Sequence, residues 1–185
     1  MKVPVNMDMQ FHPEVMRRSA LAEGVSLEGH WDVVCRDKSG KEKWRDTIRN
    51  LVTNEGLNHL LDVTLSGATQ DTTWFVLLTD GTPTVAAADT LASHGGWTEV
   101  TAYDEANRVA FVDGGVSSQS CSNSASPAQF TIDTNSTTVG GAGLCGVNSG
   151  TSGVLYAVGA FTGGDKSLDD NDTLDVTVTL TAAAA

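Results

Sequence analysis

The C-terminal segment most constrains the fold, because its apolar residues alternate strictly with polar ones. Leucine or valine occupies every even position from 174 to 180, and aspartate or threonine occupies the odd positions between them. Since successive side chains of a β-strand point to opposite faces of a sheet, this spacing predicts a strand over residues 173–181 with one apolar face. The chain is therefore expected to contain a sheet with one buried side.

Further apolar segments of strand length follow one another through residues 73–161, separated by connectors rich in Gly, Ser and Asn. They predict strands at residues 73–79, 97–103, 107–113, 128–133 and 153–161. The first segment ends in Asp80-Gly81-Thr82-Pro83, which is typical of a buried strand followed by a turn. Short strands at this spacing indicate a mainly β fold, an antiparallel β-sandwich for which a jelly roll is one candidate form.

The first strands of this fold are expected to form a hairpin over residues 30–49. Residues 30–36 and 43–49 have strand character, and Gly40 near the end of the connecting segment supplies the positive φ that a longer hairpin loop requires. Trp31 and Trp44 are expected to lie on one face of this hairpin. Two interpretations are open: the indoles belong to the protein's own core, or the hairpin adds to the sheet edge of a partner.

One short helix is expected after the hairpin. Thr53 or Asn54 can serve as its N-cap, and after it Leu57, Leu60, Leu61 and either Val63 or Leu65 recur at helical spacing. The pattern predicts that the leucine side of the helix packs inward.

Residues 1–27 show weak periodicity and are interpreted as an extended N-terminal arm, whereas residues 28–185 form the sandwich body with its hairpin. Pro4 and Pro13 interrupt any early helix. An arm with apolar and basic side chains can become ordered on a partner's surface, and a flexible terminus without a binding role is the open alternative. The candidate partner-binding residues in the arm are Phe11, Val15, Met16, Arg17 and Arg18.

Charge is distributed unevenly along the chain. Of its 185 residues, 23 are acidic and 11 are basic, and residues 1–50 hold nine of the basic ones. Nucleic-acid binding requires clustered cations that neutralise phosphates, so we expect no nucleic-acid partner. No apolar run reaches the length of a membrane span or of a signal peptide, which predicts no membrane association and synthesis in the cytoplasm.

No motif predicts a catalytic residue, a cofactor or a metal site. Residues 141–146 match the G-x-G-x-x-G pattern, but the Gly-, Ser- and Asn-rich residues that follow cannot form the helix that dinucleotide binding requires, so these glycines are expected in a tight loop or a strand bulge. The acidic residues between 165 and 172 lack EF-hand spacing; a weak calcium site and a solvated loop are the alternatives. Cys35, Cys121 and Cys145 have no zinc-ligand spacing, and a pairing of Cys121 with Cys145 stays open. The chain is expected not to be an enzyme.

Four segments of the chain allow a comparison with a known protein family. They are residues 50–58, 74–83, 96–101 and 155–161, the first reading Asn50-Leu51-Val52-Thr53-Asn54-Glu55-Gly56-Leu57-Asn58. In these segments the chain resembles a family of small virion proteins of tailed bacteriophages. The resemblance implies a capsid cement (decoration) protein, made in the host cytoplasm, that binds the outer surface of the head. It further implies a homodimer or homotrimer that bridges subunits of the major capsid protein, and it offers no active-site residues.

The leading hypothesis is a non-enzymatic structural protein that stabilises a phage capsid by bridging its subunits. An alternative is a tail-associated fibre or an adsorption protein that binds glycans of the host surface; an exposed aromatic groove around Trp97 and Tyr103 would be its sign. A third candidate, a glycan-degrading enzyme, requires paired carboxylates across a cleft, and no such pair stands out in the sequence.

Overall fold

The computed structural model describes residues 24–184 of the chain. This part contains thirteen strands and one α-helix, which continues into a π-helical turn at Asp62–Ser66. Within it, no helix has the length and apolar character needed to cross a bilayer. In chain order the elements are β1 (Val25–Arg36), β2 (Glu42–Val52), α1 (Asn54–Leu61), β3 (Trp74–Thr79), β4 (Glu99–Val100), β5 (Val109–Phe111), β6 (Val116–Ser117), β7 (Ser120–Ser122), β8 (Ala128–Thr131), β9 (Thr137–Val139), β10 (Gly141–Cys145), β11 (Leu155–Phe161), β12 (Lys166–Leu168) and β13 (Thr173–Ala184).

One antiparallel sheet of eleven strands makes up most of the described part. Its strand order is β4-β3-β10-β11-β2-β1-β13-β7-β6, with β5 also paired to β3 and β8 also paired to β13. β5 contacts β8, and Tyr103 forms a bridge with Ile132, so the two ends of the sheet meet around a common core. β9 and β12 form a separate two-stranded sheet. The mainly β prediction is confirmed, and the architecture is consistent with an antiparallel β-sandwich.

The alternation near the C-terminus acts as predicted. Leu174, Val176 and Val178 are fully buried. Each is paired in register with an inward residue of β1, for example Val178 with Trp31 and Val176 with Val33. Residues directly opposite each other in an antiparallel pair share a face, so the two longest strands supply one continuous side of the core.

A second apolar cluster covers the opposite face of β3, β10 and β11. Leu77, Cys145 and Val158 contribute from these three strands, and Leu91 and Trp97 contribute from the segment between β3 and β4. The three strands are therefore buried on both faces. This confirms the prediction that the continuous apolar run at residues 73–79 is a buried strand.

The predicted hairpin is confirmed as β1 and β2. Trp31 is fully buried and Trp44 packs against the same core, so the indoles belong to the protein's own interior. β1 is also paired with β13 along its length, and β2 is also paired with β11 over residues 48–52. The hairpin is thus built into this protein's own sheet, which favours the interpretation that its indoles belong to the protein's own core.

Several strand boundaries differ from the sequence-based expectation. β1 begins at Val25, inside the segment assigned to the arm, and the strand expected at residues 97–103 is reduced to β4 and the Tyr103 bridge. The predictions also missed β6, β7, β9, β10 and β12. β10 was missed because it is rich in glycine, yet its glycine is required: a Cβ on Gly141 would lie 2.1 Å from the Gly159 carbonyl oxygen of the neighbouring strand.

Candidate partner-binding surface

The polar side of α1 holds the helix on the sheet. The Thr53 hydroxyl caps the helix by accepting from the Gly56 N–H at 3.0 Å, and it donates to the Leu155 carbonyl of β11. Glu55 Oε2 accepts from the Leu155 N–H at 2.8 Å. Gly56 lies against β11, since a Cβ at this position would be 2.4 Å from the Tyr156 carbonyl oxygen. These contacts fix the rotation of the helix about its axis.

The leucine side of the helix faces outward as a result. Leu57, Leu61 and Leu65 are 41%, 53% and 79% exposed, and they follow one another at intervals of four residues. The prediction that this side packs inward is wrong for Leu57, Leu61 and Leu65, whereas Leu60 and Val63 are half-buried. Two side-chain hydrogen bonds to Leu155 and the close approach at Gly56 hold the opposite side against β11, so the apolar periodicity marks an exposed side instead.

Three adjoining grooves connect Leu57 and Leu60 of the helix to apolar residues of the sheet. The largest has a volume of about 700 Å³ and is lined in part by Val25, Leu27 and Val52. A second groove of about 360 Å³ shares Leu27 and Val52 and reaches Val116, which is 78% exposed. A third, of about 270 Å³, shares Val116. We call this region the α1 surface; it comprises Val25, Leu27, Val52, Leu57, Leu60, Leu61, Leu65 and Val116.

The α1 surface has the character of an interaction site. Adjoining exposed apolar side chains mark such sites on soluble proteins more reliably than single ones do. Glu28, His30 and Arg49 also line the largest groove, which places polar groups around its apolar centre. An apolar centre with a polar rim is the usual anatomy of a protein–protein interface.

The arm residues singled out in the sequence lie outside the described residues 24–184; they are Phe11, Val15, Met16, Arg17 and Arg18. The point where the arm joins the body is nevertheless defined. Val25, the first residue of β1, is 75% exposed and lines the largest groove of the α1 surface. Residues 25–27, assigned to the arm from sequence, pair with residues 182–184 of β13.

The α1 surface itself was not anticipated. One signal in the sequence could have revealed it: Gly56 interrupts the helix on the side opposite the leucines, and a glycine inside a short helix often marks a close approach of another backbone. That approach identifies the buried side of the helix and leaves the leucines outside.

Acidic side chains of the segment before β13 form hydrogen bonds with other parts of the protein. Asp172 is buried, and its Oδ2 accepts from Lys43 Nζ at 2.5 Å and from the Asp169 N–H at 2.8 Å. The hydrogen bond to Asp172 raises the pKa of Lys43. Asp165 accepts from the Thr82 hydroxyl at 2.6 Å. Across residues 24–184, no three His, Cys, Asp or Glu side chains are grouped as a metal ion would need.

Residues 141–145 of the glycine motif form β10, in the interior of the sheet, and Gly146 follows directly after this strand. Its register with β11 shifts between Leu144 and Cys145, which matches the bulge expected there. Glycine at position 143 also brings strands close together, because a Cβ there would lie 3.1 Å from the Ala157 carbonyl oxygen. These glycines therefore serve strand packing.

The aromatic residues proposed for glycan binding are buried. Trp97 is 7% exposed and stacks on His94 with ring centroids 3.6 Å apart. Tyr103 is 8% exposed and packs edge-on against Phe130. Trp97 and Tyr103 therefore do not form the exposed aromatic groove that would mark a host-surface adsorption protein.

All three cysteines are free thiols. Cys35 and Cys145 are buried, whereas Cys121 is half-buried. Burial raises the pKa of Cys35 to about 12 and also raises the pKa of Cys145. In this structure Cys121 and Cys145 are not paired.

Comparison with known proteins adds no assignment: no protein-family model matches the chain, and no curated protein is significantly similar to it.

Proposed function

We propose that the protein is a non-enzymatic cement protein, which binds the outside of a tailed-phage capsid and stabilises it by bridging capsid subunits. The observation that carries this proposal is the α1 surface, where large apolar side chains are held outward by the polar anchoring of the helix. The resemblance to small virion proteins supplies the partner, the major capsid protein, and a homodimer or homotrimer as the bridging unit.

Burial of the exposed leucines would contribute several kcal/mol to the free energy of such binding. Complete burial of a leucine side chain stabilises a complex by roughly 1.5–3 kcal/mol. Leu61 and Leu65 are 53% and 79% exposed, so covering both contributes about 2–4 kcal/mol before the cost of association. A ligand that binds only the assembled shell stabilises that shell by its binding free energy, and repetition over the lattice multiplies the effect.

Attachment of purified protein to heads that lack it tests the role of the α1 surface. Replacing both Leu61 and Leu65 with aspartate is expected to weaken attachment at least tenfold in a co-sedimentation titration, because two apolar contacts are lost and two charges are desolvated. The melting temperature should stay within about 2 °C, since both side chains are exposed. Asn58→Asp is the matched control: it adds a charge on the same helix and should attach normally. Equal attachment of the double variant would refute this role.

The copy number in purified virions separates the proposal from a role in the tail. Quantitative mass spectrometry against the major capsid protein should give a ratio near one or a simple fraction of it. A count between a few and a few tens of copies per particle would place the protein on the tail, and the cement proposal would then be wrong.

A further inference from the structure

β1 and β2 separate at one end of the sheet and leave an open fork. Their pairing stops at His30 and Arg49. Beyond this pair, β1 continues along β13 as far as Val25, while β2 continues along β11 as far as Val52. Among the strands of residues 24–184, none pairs with residues 25–29 on the side of β2, or with residues 50–52 on the side of β1. The 700 Å³ groove of the α1 surface is the space between them.

Within residues 24–184, the fork lacks strand partners as well as apolar cover. Two strand edges face each other across it, and an open edge carries unpaired backbone N–H and C=O groups. At its vertex, both polar atoms of the Asn50 side chain are buried without a partner. The amide lies over Gly29, where a Cβ would be 1.9 Å from Asn50 Oδ1. A buried polar group left unpaired costs roughly 1–3 kcal/mol.

These two deficits specify the occupant. The open strand edges require backbone donors and acceptors, whereas Leu27, Val52 and Leu57 require apolar side chains on one face. An added β-strand with alternating apolar residues supplies both, since it bonds through its backbone and inserts every second side chain.

We propose that residues 3–11 of the same chain occupy the fork as an added strand. Val3, Val5, Met7, Met9 and Phe11 take every odd position of this segment, and polar residues or proline take the even ones. Although residues 1–27 as a whole show weak periodicity, this nine-residue stretch has the period of a strand with one apolar face. A proline at the second position of the segment is compatible with a strand, since prolines are tolerated near strand starts.

Two features favour the chain's own segment over the same segment of a second copy: the point where the arm joins β1, and the length of the linker between the segment and that point. The arm joins β1 at Val25, on the lining of the groove. Residues 12–24 connect the segment to that point, and thirteen residues reach up to about 43 Å. The open part of β1, five residues, is only about 16 Å long. A short tether gives an effective concentration in the millimolar range, above that of a second copy in dilute solution.

Disulfide trapping in the full chain tests this arrangement. Leu27 lines the groove from β1, so Leu27→Cys is combined with one cysteine in the segment, in a Cys121→Ser background that removes the half-buried native thiol. After mild oxidation, an intramolecular disulfide is expected with Val5→Cys, Met7→Cys or Met9→Cys. The even positions provide the controls: Asn6→Cys and Asp8→Cys, which face away, should link at least tenfold less.

Each outcome of the trapping experiment decides the question. A disulfide between two chains would show that a second copy fills the fork and would overturn the proposal, as would the absence of linkage or equal linkage at odd and even positions. Hydrogen exchange provides a check without cysteine substitution. Replacing both Val5 and Met7 with aspartate should speed exchange at least tenfold for those amides of residues 25–29 that point away from β13, whereas Asn6→Asp should not. Equal exchange in these two variants would also overturn the proposal.

Discussion

Thr53→Val removes a single hydroxyl from a fully buried position and leaves the shape of the side chain almost unchanged. That hydroxyl accepts from the Gly56 N–H at the start of α1 and donates to the Leu155 carbonyl of β11. The substitution therefore removes the N-cap bond of the helix and one hydrogen bond from the helix to the sheet, and it creates no cavity. It tests directly whether the polar anchoring fixes the orientation of the helix.

The expected cost follows from these two contacts. Loss of a threonine N-cap destabilises a protein by about 1 kcal/mol. Depriving the Leu155 carbonyl of this donor adds roughly 1–2 kcal/mol, because the site is buried. The free energy of unfolding should therefore fall by about 2–3 kcal/mol. For a chain of this length, the melting temperature should decrease by roughly 4–12 °C.

Urea titration followed by circular dichroism measures this difference, and Thr64→Val provides the matched control. The Thr64 hydroxyl also donates to a main-chain carbonyl, that of Leu60, at 2.6 Å, but it is exposed, so water can replace the bond. The control should change stability by less than about 0.5 kcal/mol. If Thr53→Val costs no more than Thr64→Val, α1 is not anchored through Thr53, and the explanation for its outward leucines fails.

Two further substitutions have effects whose sign the structure determines. Gly56→Ala should destabilise the protein by about 1–2 kcal/mol, although alanine normally favours a helix, because its methyl group would crowd the Tyr156 backbone; Asn58→Ala on the exposed side should be neutral or stabilising in the same urea titration. Burial alone would raise the pKa of Asp46, but hydrogen bonds, including one from Lys166, outweigh it and lower that pKa. The stability advantage over Asp46→Asn should therefore be complete above about pH 4 and shrink as the pH falls through the lowered pKa, which unfolding at pH 7 and pH 3 can verify.

The strands that could be predicted are those whose pattern coincides with their burial. Residues 174–180 alternate because β13 has one buried face, and residues 74–79 form a continuous apolar run because β3 is buried on both. β10 escaped prediction because close approach to its neighbours excludes side chains at Gly141, so its sequence resembles a loop. A glycine in a strand interior often marks the close approach of another backbone, and local sequence patterns do not show such contacts.

The candidate site could not be predicted for a related reason. The apolar periodicity of α1 was identified correctly, but periodicity does not say which side of a helix is covered. Here Thr53, Glu55 and Gly56 decide it through contacts with β11, a strand that lies about a hundred residues later in the chain. The arm was located only approximately, because its last three assigned residues gain their strand structure from pairing with the C-terminal end of β13.

The continuity of β1 also determines what the molecule presents to its surroundings. The strand runs from the α1 surface to the turn at residues 37–41, and its twelve residues span roughly 36 Å. At that far end Gly40 has a φ of 84° and open space around it. A peptide inserted beside Gly40 would lengthen an exposed loop, at a cost of only about 0.6 kcal/mol for each doubling of its length. A body held at its α1 end would therefore carry such an insert at the opposite end of β1, away from the attached surface.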